Sequence, residues 1–306
     1  MSAVKVLALV PALLVAQLAS AAECGGTPLA GVGGVPKAWK LDGGGIAAFA
    51  KMNINIDGYA KAYHPGNASG GALIHLCNAG RVVLPDGTSY HGSESNATCT
   101  GRFMADVARI GQAGWMDRSV GAVEWYGILG EGSAVIAGRT VSSVKPVEQR
   151  DGSGFYVSPT SLADTTVTDR AVQSRYVNPL RVAAAVAPRS IAVHGAAIGS
   201  FGVAYDVRKR IAVPFVVGDA GPRIGEGSVA LARSVAGLPI SDDITRANRF
   251  AGQVDTADVL WVFFGDAVRR FDSSAPGATV AAAAAAFTAW GGQARLDRCA
   301  ATVPRS

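Results

Sequence analysis

Apolar residues along this chain recur mainly at every second position or in short runs, and seldom at helical spacing. Residues 52–57, MNINID, alternate isoleucine with asparagine and aspartate, the pattern of a half-buried strand. Residues 201–207 and 211–217 read as two arms of a hairpin turning at Arg208, Lys209 and Arg210, and 259–264 as a last buried strand. A second hairpin is expected from 122–129 and 133–136 around the glycines at 130–132, with further strands at 154–162 and 190–194. Helical spacing is confined to 102–112, to a short segment capped by Ser228 and Gly237, and to the alanine-rich 279–290. The expected class is therefore mostly β with a few helices, in a single domain, and no internal repeat is present.

Composition shifts set the expected boundaries. Residues 1–22 carry Lys5, an apolar run over 6–18 and the small-residue pattern Ala19-Ser20-Ala21, which together read as an export leader. Residues 23–50 form a glycine-rich lead-in, 51–272 the main domain with a polar insertion over 81–121, and 273–306 a helical tail. No segment outside the leader has the roughly 18 continuous apolar residues of a membrane span, and Glu23 argues against a lipid anchor on Cys24. The expectation is a secreted monomer, extracellular or periplasmic. Export suits the four cysteines, which form no CxxC or CxxH motif. Two disulfides are the simplest outcome. Of the three possible pairings, position favours Cys77 with Cys99, closing the insertion, and Cys24 with Cys299, joining the two ends.

Charge and motifs remove several function classes. The formal net charge of +5 falls to +4 once Lys5 leaves with the leader, and the basic residues are scattered. Nucleic-acid binding calls for a basic stripe interleaved with aromatics, so it is not expected. Asn53-Ile-Asn55-Ile-Asp57-Gly58 begins like a calcium loop, but its twelfth position is His64 where a bidentate glutamate is required. There is no HExxH and no GxSxG, and the glycines of GILGEG lack the setting of a dinucleotide fold. No metal or other cofactor is expected. Asn67-Ala-Ser69 and Asn96-Ala-Thr98 are glycosylation sequons.

Positive candidates gather at residues 213–237, VPFVVGDAGPRIGEGSVALARSVAG. A strand runs into Asp219, Gly221-Pro222 turns the chain, and Glu226 follows before a short helix. Two carboxylates at the ends of one glycine-rich loop suit glycosidic hydrolysis, in which one carboxyl donates a proton and the other activates water. The helix start after Glu226 favours its ionised form, so a donor role there requires burial or a like charge. Asp57, Tyr63, His64, Trp125 and Tyr156 are candidates for lining a cleft, and Trp125-Tyr126 with Tyr156 for a sugar-stacking platform.

Several segments resemble, in order, the chitosanases of glycoside hydrolase family 75: NINIDGYAKAYHP, CNAG, VEWYGIL, GFYVSPTSLAD, RYVNP, VGDAGPRIGEGSVALA and VLWVFFG. The likeness runs over residues 52–265 and is interrupted at 81–121. It implies a secreted, inverting enzyme that cuts β-1,4-linked glucosamine polymers, with the family's catalytic Asp and Glu falling on Asp219 and Glu226. The strand, the D-x-G-P turn and the acidic residue before a small-residue helix are also similar to six-stranded double-psi β-barrels such as expansins, family 45 endoglucanases and some lytic transglycosylases. That likeness implies a double-psi-like barrel, with Glu226 as acid and Asp219 activating water. The polysaccharide is then the expected partner. A non-catalytic expansin-like wall module and a peptidoglycan-cleaving lytic transglycosylase are the rival readings. The insertion carrying Cys77 and Cys99 departs from the family's pattern where it would reshape the cleft, and the basic charge departs from the negative groove a polycationic substrate calls for.

Overall fold

The structure, a computed structural model, describes residues 23–92, 98–265 and 270–305; residues 1–22, where an export leader is expected, and Asn96 of the second sequon lie outside them. In chain order the elements are β1 (Gly26–Ala30), β2 (Lys37–Leu41), β3 (Ile46–Asn55), β4 (Gly80–Val83), β5 (Ser89–His91), α1 (Phe103–Gln112), β6 (Ala122–Trp125), β7 (Gly130–Ile136) and β8 (Arg139–Pro146). There follow β9 (Ala184–Ala187), β10 (Phe201–Asp206), β11 (Ile211–Ala220), β12 (Glu226–Ser228), α2 (Val229–Val235), β13 (Val254–Phe263), α3 (Pro276–Trp290) and α4 (Gly292–Thr302). Strand outweighs helix, as the period-two pattern requires.

Six strands close into a barrel in the order β3-β12-β9-β11-β10-β13, with β13 pairing back onto β3. β12 lies parallel to β3 and β9 parallel to β11, while the remaining neighbours run antiparallel. Closure removes the free edges that an open sheet would expose. The strand period decides what faces inward. Along β3, Ile46, Ala48, Ala50, Met52 and Ile54 pack in the barrel interior with Phe215, Trp261 and Phe263. Ala47 and Phe49 point outward into a second core, shared with Leu260, Val262, Phe264, Trp290 and Leu296, where α3 and α4 cover the barrel. Phe264 stacks on Trp290 at 4.9 Å between ring centroids. Each fully buried large side chain of this kind contributes about 1.5–3 kcal/mol of transfer free energy.

The barrel begins earlier than composition suggests. Residues 23–50 carry β1, β2 and the first half of β3, and IAAFA is a continuous apolar run because both faces of β3 are covered there. The C-terminal helices are likewise an integral layer. The hairpin expected around 130–132 is displaced: β6 pairs with β4, and β7 turns at Ala137-Gly138 to pair with β8. Ala137 and Gly138 both have positive φ, 46° and 79°, the geometry of a tight primed turn. Residues 154–162 are loop, with one isolated bridge, between Tyr156 and Glu148, and further hydrogen bonds such as Tyr156 N–H to the Tyr63 carbonyl and Val157 N–H to the Val147 carbonyl. Residues 190–194 fall in a 3-10 turn, Arg189–His194. Prolines at 159 and 188 interrupt both would-be strands. The insertion forms a small sheet, β5-β4-β6, packed by α1.

Both expected disulfides are present, Cys77–Cys99 and Cys24–Cys299, the latter across 275 positions and tying the start of the chain to α4. Chain entropy assigns a loop of this length about 5.6 kcal/mol. The double variant Cys24→Ser/Cys299→Ser is expected to melt well below wild type while retaining the Cys77–Cys99 peptide on non-reducing mass mapping; an unchanged melting temperature would contradict a stabilising role.

Candidate functional site

The outward face of β3 changes character along its length. Where α3 and α4 lie on it the face is Ala47 and Phe49; further on it is Lys51, Asn53 and Asn55, partly exposed. This uncovered half is where the acidic residues gather.

Glu226 opens β12 and stands directly opposite Asn53 in the parallel ladder. The register puts Glu226 on the same outer face, because Gly227, next along, points inward toward Met52 and Trp261. Gly225 (φ 111°) makes the approach possible, since a Cβ there would lie 3.0 Å from the Lys51 carbonyl oxygen and the Ala50 Cβ. Two residues separate Glu226 from α2, and Ser228 caps that helix by accepting from the Leu231 N–H at 3.2 Å.

Asp219 reaches the same face through a bulge. Val217 points into the barrel, so a regular strand would point Asp219 inward as well. The ladder with β9 shifts between Val217 and Asp219, which leaves Asp219 opposite Val186 and facing outward. Its Oδ1 accepts from the Ser161 N–H (2.9 Å), the Ser161 hydroxyl (2.6 Å) and the Ala220 N–H (2.8 Å). Asn55 adds a side-chain hydrogen bond. The loop bearing Ser161 is itself anchored at the bulge, where the Leu162 N–H donates to the Gly218 carbonyl at 2.8 Å.

Asp57 follows β3 by two residues and is the third carboxyl. Its N–H donates to the Asn55 side chain at 2.6 Å, so Asn55 links Asp57 to Asp219. The Tyr63 hydroxyl donates to Asp57 Oδ1 at 2.9 Å and the Ser158 hydroxyl at 3.3 Å. Gln173 fixes Ser158 from both sides, accepting from its N–H at 2.9 Å and donating to its carbonyl at 2.8 Å. Gly58 (φ 94°) admits no side chain, because a Cβ would sit 2.0 Å from the Val177 carbonyl oxygen. Asp57 and Asp219 line one small cleft of about 20 Å³ together with Asn55 and Thr160.

Electrostatics separates the three groups. Burial raises Asp219, and its ring of donors opposes the rise. Burial and the charge of Asp219 raise Glu226, against the pull of Arg223 and Lys51. Asp57 moves furthest: burial, then the charges of Asp219 and Glu226, push its carboxyl up to about 8 in spite of the Tyr63 and Ser158 hydrogen bonds. Burial therefore supplies what the sequence left open for Glu226 as a proton donor.

The aromatic candidates divide differently. Trp125 and Tyr156 are buried (3% and 6% exposed), Trp125 donating its indole N–H to the Val144 carbonyl, so neither offers a face to a sugar. Strand alternation instead turns Tyr126 outward, 55% exposed and within electrostatic reach of Asp57. Tyr63 is buried and holds Asp57 rather than lining a surface. His64 packs edge-on against Phe155, accepts from the Gly66 N–H at 2.9 Å, and makes no recorded contact with the carboxyls. Asn67 is buried, its Oδ1 accepting from the Leu76 N–H at 2.8 Å, so that sequon is not presented at the surface. Among the described residues no group of three or more His, Cys, Asp or Glu side chains could hold a metal ion.

Asn55, Ser158, Ser161 and Gln173 complete the site. Asn55 was signalled by the alternation of MNINID, and the serines by polar positions within GFYVSPTSL; nothing in the sequence around Gln173 marks it. No protein-family model and no curated protein matches the chain.

Because the folded state holds a proton on Asp57 that the unfolded chain loses near pH 4, unfolding releases a proton between about pH 4 and about 8. Stability attributable to this group is therefore full below that window and falls as pH rises through it. Asp57→Asn is expected to melt several degrees above wild type at pH 7.5 and level with it at pH 3.5, as thermal melts across that range would record; equal melting temperatures at both values would contradict the shift.

Proposed function

We propose that the protein is a secreted glycoside hydrolase that cleaves β-1,4 bonds of chitosan or a related amino-sugar polysaccharide with inversion. The observation that carries this reading is the meeting of Asp219 and Glu226 on one uncovered face of a closed barrel. Glu226 lies beside Asn53 and Asp219 is bonded to Asn55. Two residues of strand are about 7 Å, and an inverting pair stands about 6.5–9.5 Å apart to admit a water.

In this mechanism Asp219, whose surrounding donors favour the ionised form, takes a proton from water as its oxygen attacks the anomeric carbon. The glycosidic C–O bond breaks, and Glu226 gives its proton to the leaving oxygen. The raised pKa of Glu226 suits the donor role at mildly acidic pH. Tyr126 supplies an exposed ring on which a pyranose can stack. The acidic face suits a polymer bearing ammonium groups, and the ordered family 75 segments support the same chemistry. Two disulfides fit an oxidising compartment, and no helix among the described residues is long and apolar enough to cross a membrane.

Purified protein incubated with chitosan is expected to release reducing ends, and Asp219→Asn and Glu226→Gln each to lower kcat by about 10²–10⁴-fold. Proton NMR of the first products is expected to show the α-anomer. Binding to insoluble glycan with no product would favour the expansin-like module, and anhydro-sugar ends from peptidoglycan the lytic transglycosylase. Full activity in both variants would sink the carboxylate pair.

A further inference from the structure

Hydrolysis by inversion needs two carboxyls, and the site holds three. We propose that Asp57 is a positioning residue that keeps its proton and donates it to the hydrolytic water, holding that water against Asp219. This rests on the reading of Asp219 and Glu226 as the hydrolytic pair.

The cleft supports it by size and lining. A volume of about 20 Å³ holds a single water. Asp57, Asn55, Thr160, Asp219 and Ser228 are its polar walls, the Ser228 hydroxyl being committed by donating to the Val182 carbonyl at 2.8 Å and accepting from the Ala184 N–H at 3.0 Å, and the rest is mainly small and apolar, including Val177, Pro179 and Ala184. A nucleophilic water in such a space needs an acceptor for the proton it will lose and a donor that fixes its oxygen. Asp219 is the acceptor. Thr160 is committed elsewhere, its hydroxyl donating to the Leu162 carbonyl at 2.6 Å and accepting from the Val177 N–H at 3.0 Å. The Asn55 side chain is shared between the Asp57 N–H and Asp219. Asp57 is left as the donor. Among the described residues both hydrogen bonds to its carboxyl fall on Oδ1, so the proton belongs on Oδ2.

The charged and titratable groups around Asp57 agree. Asp219 from β11 and Glu226 from β12 face it as like charges, and Tyr63 and Tyr126 approach from the following loop and from the end of β6. Among the described residues, the groups that set its ionisation are these carboxyls and the Tyr63 and Ser158 hydroxyls, with no cation.

Two substitutions separate this role from the alternatives. Asp57→Asn keeps an oxygen for Tyr63 and Ser158 and an N–H for the water, whereas Asp57→Ala keeps neither. On chitosan oligomers at pH 5.5, Asp57→Ala is expected to lose about 100-fold in kcat with KM little changed, and Asp57→Asn to stay within about tenfold of wild type. On the alkaline side, wild-type log kcat is expected to steepen from a slope of −1 to −2 above pH 8, as Asp57 joins Glu226 in ionising. Asp57→Asn is expected to keep a slope of −1. A merely structural aspartate would not change that slope. If Asp57→Ala is too unstable to assay, the Asp57→Asn slope decides alone. An Asp57→Asn variant as inactive as Asp57→Ala would make Asp57 a proton-transferring group, and an unchanged kcat in both would make it idle; either overturns the proposal while the carboxylate pair stands. An inactive wild type would overturn the hydrolase reading and this proposal with it.

Discussion

Three carboxyls crowded on one uncovered barrel face cannot all be ionised cheaply, and the rest of the site follows from that constraint. Two unit charges about 6 Å apart repel by roughly 3 kcal/mol at an effective dielectric of about 20. The protein resolves the crowding by giving each group different neighbours. Asp219 receives hydrogen bonds from Ser161, Ala220 and Asn55, Glu226 has Arg223 and Lys51 nearby, and Asp57 has only two hydroxyls and burial. The order in which they lose protons is then fixed by packing. A set of neutral hydrogen-bond donors around Asp219, two nearby cations for Glu226 and two hydroxyls for Asp57 thus give one functional group three different environments.

Such differences survive only on a scaffold that does not relax. The closed barrel supplies it: β3 is paired within the ring by β13 along its first part and by β12 along its last, where the β12 ladder holds Asn53 and Asn55 opposite Glu226 and Ser228. The bulge before Asp219 is an irregularity in that frame, and it turns a carboxylate from the apolar interior to the outer face. Buried inward, Asp219 would face Phe215, Trp261 and Phe263 with no partner, at a cost of several kcal/mol. Function and foldability therefore ask for the same local distortion.

Much of this was legible in the sequence, and what was not has identifiable causes. The alternation of MNINID gave a half-buried strand, and the strand, D-x-G-P turn and glutamate gave the carboxylate loop, because both are short-range patterns. The barrel start at Ile46 was obscured since Ala47 and Ala48 are small residues covered on both faces, a run with no period to read. Trp125 and Tyr126 illustrate the one-residue problem: adjacent aromatics on a strand take opposite faces, and only the register with β4 decides which one is buried. Asp57 was visible as a polar position that could line a cleft, but its role was not, because the charges that raise it, Asp219 and Glu226, lie more than 150 positions along the chain. Gln173 was invisible for the same reason: it acts through tertiary hydrogen bonds to Gly58 and Ser158.

The basic character of the chain looks at odds with a cationic polymer, and the distribution of charge removes the conflict. Arg81 and Arg139 pair with Glu124, Arg109 with Asp106, Arg150 with Asp169, and Arg208 with Asp258. Interactions between exposed charges are largely screened beyond about 8 Å at physiological ionic strength. A sugar at the cleft therefore senses Asp219, Glu226 and their neighbours far more than the net charge of +5. Lys51 and Arg223 are the exceptions, since they stand beside Glu226 and temper its negative potential. Under the proposed function, a glucosamine ammonium would be attracted to the Asp219 side of the cleft more strongly than to the Glu226 side. The field is graded along β3, and it is this gradient, rather than total charge, that can orient an amino-sugar chain across the carboxylate pair.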